Sequence, residues 1–105
     1  MTVHRIVLAA TLLLLAVPAG AQDVLLGENL ARRWCSSCHL VTGDAAMARA
    51  DGVPSFRGLA ARPDVSPVML RRAMTAQHSR MPDFNLGTRD QEDLIAYIMS
   101  LKPVR

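Results

Sequence analysis

Aromatic side chains are scarce in this 105-residue chain: Trp34, Phe56, Phe84 and Tyr97 are all it has. Cysteine is scarcer, at positions 35 and 38 only, so one disulfide is the most the chain could form. There is no internal repeat and no low-complexity segment. No apolar run approaches the roughly 20 residues that a membrane-crossing helix needs. A strong excess of one charge is missing too. All nine acidic residues follow position 22, and of the twelve basic ones only Arg5 precedes it. From Gln22 onward eleven basic residues face nine acidic ones, a net charge of +2. The high pI of the whole chain is therefore no argument for a nucleic-acid partner.

What is present begins with a leader. Met1–Arg5 is short and basic, Ile6–Val17 is apolar, and Pro18 is followed by the small residues Ala19-Gly20-Ala21. That order predicts a secretory signal peptide over 1–21, cleaved after Ala21. The mature domain is then 22–105, 84 residues. A domain of that size with four aromatics needs support beyond an ordinary core, from a metal, a crosslink or a large cofactor.

The patterning predicts three helices and no strand, an all-α chain. The first runs from about Val24 to Cys38, with Leu26, Leu30 and Trp34 at helical spacing and Gly27 and Ala31 as a strip of small residues beside them. Residues 39–65 carry the breakers Gly43, Gly52, Pro54, Gly58 and Pro63, with room for one helical turn near Phe56–Ala61. Ser66 as N-cap and Pro67 at the first helical position start the second helix, which is expected to reach Gln77. Thr88 with Gln91 predicts a capping box for the third. Asp90, Glu92 and Asp93 suit its positive end, and Leu94, Ile95, Tyr97, Ile98 and Leu101 form its apolar face.

The chemistry lies at the end of the first helix, in Trp34-Cys35-Ser36-Ser37-Cys38-His39. On a helix, residues three apart share a side, one turn apart. Two thiols so placed can each add to one vinyl group of a haem edge, and the histidine that follows projects over the iron. C-x-x-C-H is the attachment pattern of c-type haem. Three alternatives stand against it. A redox-active C-x-x-C requires a preceding strand, which the pattern lacks. A structural zinc site requires four ligands, and beyond Cys35, Cys38 and His39 the exported residues add only His78. Chance is the third, since the pattern is short. Export, the preceding helix and the lack of other cysteines favour one covalent haem c, with His39 as an iron ligand.

The other face of the iron decides between electron transfer and ligand chemistry. Met47, Met69, Met74, Met81, Met99 and His78 are the available donors. Met69, Met74 and Met99 fall on helices, where core filling is the simpler role, and Met47 follows His39 too closely. Met81 precedes Pro82 in a loop, which biases it to an extended backbone. It is the preferred ligand, with His78 as rival. Histidine and methionine together leave no open position, so the expected role is single-electron transfer and not catalysis.

These residues resemble the class I c-type cytochromes, small bacterial monohaem members in particular, over nearly all of Val24–Leu101. The resemblance implies a cytochrome c fold in which three main helices pack around the haem and the N- and C-terminal helices cross. It implies that Gly27, eight residues before Cys35, meets an aromatic of the last helix, here Tyr97. It implies that the Pro54 carbonyl accepts a hydrogen bond from His39, and that the ligand methionine is followed by proline, as in Met81-Pro82. One place departs: Ala31 stands where the family often has an aromatic, and Trp34 or Phe84 would supply the bulk. The function implied is an exported electron carrier between periplasmic redox partners. Alternatives are a dedicated subunit of a periplasmic dehydrogenase or oxidase, and a haem sensor or peroxidatic protein with a labile methionine. No stable membrane insertion is expected after cleavage.

Overall fold

The computed structural model describes residues 22–42, 52–76 and 81–104. The leader over 1–21 and the candidate ligands Met47 and His78 lie outside the described residues. Four helices make the described fold, with no β-strand among these residues. They are α1 (Val24–Leu30), α2 (Phe56–Ala60), α3 (Pro67–Thr75) and α4 (Thr88–Ser100). No helix among the described residues is long and apolar enough to cross a membrane.

α1 starts where Asp23, in extended conformation, accepts the Leu26 N–H on its side chain at 3.0 Å. It does not continue as one regular helix to Cys38. Over Ala31–Cys35 it widens to a π-helical turn, with the Ser36 N–H reaching the Ala31 carbonyl at 3.1 Å. The chain then tightens again, the Cys38 and His39 N–H groups both donating to the Cys35 carbonyl. Such single wide turns change which face the following residues occupy, and they are common at functional sites.

α1 lies chiefly against α4. Its buried side is the strip of small residues, Gly27 and Ala31, while Leu26 and Trp34 are exposed. Of the apolar stripe only Leu30 packs against the core, and it is the strip of small residues that meets α4. The reason is the closeness of the crossing: a Cβ on Gly27 would sit 1.9 Å from the Asp93 carbonyl oxygen and 2.9 Å from the Tyr97 Cβ. Backbones that near admit no larger side chain. The side chain of Asp93, itself buried, accepts the Asp23 N–H at 2.8 Å and so ties the start of α1 to the middle of α4.

α2 is the helical turn expected near Phe56, capped by Ser55, whose hydroxyl accepts the Gly58 N–H at 2.9 Å. α3 begins as the sequence predicts, with Ser66 Oγ accepting the Met69 N–H at 3.1 Å. It ends at Thr75, before Gln77, because Ala76 turns to an extended backbone. The predicted capping box of α4 does not form. Gly87 is the N-cap, Thr88 is already helical, and Gln91 Nε2 donates to the Leu86 carbonyl at 2.8 Å. The apolar face of α4 is as expected, with Leu94, Ile95, Tyr97 and Ile98 buried. Ala31, Val41, Phe56, Ala60, Val65 and Leu70 complete the core.

Candidate haem site

The site is assembled by the turn after α1, the strand-like stretch before α2, and the loop before α4. Cys35 is half-buried and Cys38 exposed, and both thiols are free. Burial pushes the Cys35 thiol up to about 11. It is a protonated thiol at neutral pH, the opposite of the activated thiolate of a redox C-x-x-C. No three histidine, cysteine or acidic side chains among the described residues converge as a metal-binding group.

His39 is oriented by its neighbours. Its Nδ1 lies 2.6 Å from the Pro54 carbonyl oxygen. A carbonyl can only accept, so Nδ1 carries the proton and Nε2 keeps a lone pair for a metal. The imidazole also packs on Phe56, with ring centroids 5.4 Å apart, and Phe56 packs on Tyr97 at 6.3 Å. Two bonds hold this layer to the rest. The Phe56 N–H donates to the Leu40 carbonyl at 2.9 Å, and the Tyr97 hydroxyl donates to the Val41 carbonyl at 2.6 Å. Sequence reasoning missed the Tyr97–Val41 bond. It joins residues 56 apart, and no local pattern marks it.

A shallow groove opens beside Cys35, lined by Met74, Met81, Pro82, Phe84, Leu86 and Leu94 among others. Met81 thus stands on the same cavity as the first cysteine of the motif. Met74 stands there too, but it packs against the buried core, as a filler does. Trp34 and Phe84 meet at the rim, ring centroids 5.8 Å apart and tilted by 47°. Ala31, where the resemblance expected an aromatic, is itself fully buried, while both rings are exposed. Of the two arginines preceding Trp34, Arg32 pairs with Glu28 at 2.8 Å on the exposed face of α1.

The residues present fit a covalently held haem. Two free thiols stand one turn apart, an imidazole presents a free Nε2, and an apolar groove with a thioether adjoins the first thiol. The fold and this donor set together define a small c-type cytochrome. The chain is 43% identical over 96 residues to cytochrome c-552 of Bradyrhizobium diazoefficiens, covering 87% of this chain and 91% of that protein. No protein-family model matches the chain. No solved structure matches it either. The identity to a cytochrome over nearly its whole length places the chain in the class I c-type cytochromes. It is an electron carrier and not an enzyme, it has the all-α cytochrome c fold, and it holds one covalent haem c.

Proposed function

We propose that the haem is joined to Cys35 and Cys38, that His39 and Met81 are its axial ligands, and that the chain shuttles single electrons between periplasmic redox proteins. The observation that carries this reading is the 2.6 Å contact between His39 Nδ1 and the Pro54 carbonyl. It selects the tautomer with Nε2 free and restrains the ring plane, as the outer partners of metal-bound histidines do. A haem held there would supply one-electron chemistry.

The chain's own residues do the rest. Cys35 and Cys38 keep the cofactor from diffusing away. Met81 would hold the iron through its thioether and keep water and substrates from it. Its weakly donating sulfur favours the reduced metal and raises the potential. Leu86, Leu94 and Met74 keep the groove apolar. The leader read over 1–21 supports the periplasmic assignment, where haem attachment and an oxidising milieu coincide.

The test is the ferric spectrum of the purified holoprotein, with its intact mass. A far-red methionine-to-iron charge-transfer band at neutral pH is expected, together with a mass of Gln22–Arg105 plus one haem. Met81→Ala should abolish the band and lower the potential. A band that survives in that variant would move the ligand elsewhere. Purification in a stable complex with a dehydrogenase or oxidase would make the chain a dedicated subunit and not a free shuttle.

A further inference from the structure

The loop from Met81 to Gly87 is tethered at two points. Gln91 of α4 holds it at Leu86, five residues beyond the methionine. The second tether is aromatic. The loop bends through an Asx turn in which Asp83 Oδ1 accepts the Asn85 N–H at 2.7 Å, with Asn85 at a left-handed φ of 53°. Within this turn Phe84 reaches Trp34 of the first helix. Neither ring is there to fill the core: Trp34 is 41% exposed and Phe84 37%. Arg33 braces the indole from its own segment, its guanidinium carbon 5.8 Å from the ring centre. The pair joins two parts of one site, because Trp34 precedes Cys35 and because Cys35, Met81 and Phe84 line the same groove.

We propose that Trp34 and Phe84 form a latch that holds the Met81 loop closed, and that this latch sets how often the Met81 thioether leaves the iron. The proposal rests on the reading of Met81 as a ligand. The contact acts three residues from Met81, closer than the Gln91 tether. When the rings separate, the Met81 end of the loop can swing while its other end stays on α4. Trp34 is thus a positioning residue, acting on the metal through Phe84 and the loop.

The experiment uses holoproteins carrying one haem each, and it reads the rate at which saturating imidazole displaces the methionine from ferric iron. Loss of the far-red band reports each event. Trp34→Ala and Phe84→Ala are each expected to raise that rate roughly three- to tenfold, the range an aromatic pair of this kind supports. The double variant should be no faster than the faster single one, and Trp34→Phe should restore most of the wild-type rate. Asp93→Ala, which removes the acceptor of the Asp23 N–H and neither ring of the latch, should lower the melting temperature and leave the rate unchanged. Displacement from Trp34→Ala at the wild-type rate would overturn the latch, as would strictly multiplicative effects of the two alanines. If the wild-type protein has no band for Met81→Ala to remove, it is the ligand assignment that fails.

Discussion

Gly27 and Tyr97 show how much one side chain can decide. The α1–α4 crossing is so close that a methyl group at 27 would lie 1.9 Å from a backbone oxygen, and no flexible side chain is there to yield. Gly27→Ala should therefore cost the holoprotein about 3 kcal/mol, the upper part of the range for overpacking, as read by guanidinium unfolding. Tyr97 acts through its hydroxyl. Burial, then the nearby Glu28 carboxylate, hold its phenol above the usual value of 10. A phenol whose folded pKa exceeds its unfolded one contributes stability that is complete below pH 10 and is lost as pH rises through the folded value. Tyr97→Phe should cost about 1 kcal/mol at neutral pH by leaving the Val41 carbonyl without its donor. It should also flatten the fall in stability above pH 10, measured by thermal melts across that range. The Gly27–Tyr97 contact was legible as a family resemblance. The hydroxyl's acceptor was not, since only the folded chain brings position 41 to position 97.

Among the helices, the signals that proved legible were chemical and local. Ser66 followed by Pro67 can start a helix in one way, and α3 starts there. The misplaced signals were those that tertiary packing overrides. Thr88 has the chemistry of a cap, yet the chain enters α4 one residue earlier, through the extended backbone of Gly87. Gln91 turns instead to the Leu86 carbonyl, which fastens the preceding loop. The two starts should respond differently to truncation. Ser66→Ala is expected to cost about 1 kcal/mol, as for a bonded N-cap. Thr88→Ala should change stability by less than about 0.5 kcal/mol, as exposed sites generally do. Paired denaturation curves would check this, and equal losses would restore Thr88 as the cap. The π-turn at Ala31–Cys35 had no signature at all. Nothing in Ala-Arg-Arg-Trp-Cys disfavours an ordinary helix, so the widening answers to what the following residues must reach.

Taken as one molecule, the described chain has little to hold itself together. Its buried apolar residues include two alanines and two valines, and its aromatics either form the thin Phe56–Tyr97 layer or lie at the groove rim. The groove between Cys35, Met74 and Leu94 would expose this core to water if the cofactor were missing. A domain of this size has no reserve against such a gap. Chains with both cysteines changed to alanine, made without haem, should therefore show markedly lower far-ultraviolet helicity than the holoprotein. Equal helicity would mean that the polypeptide folds unaided. The all-α architecture and the motif were readable because both are written in short-range spacing. The side that α1 buries was not, because it depends on how close α4 comes.

The partner of the His39 imidazole is a main-chain oxygen at residue 54. Every amino acid carries that atom. Descendants of this chain can exchange the proline without deleting the acceptor, provided the path from Gly52 to Phe56 is kept. Genetic drift at this position is thus tolerable in a way that drift at a side-chain acceptor would not be, and what selection must preserve is the course of a peptide and not the identity of a residue.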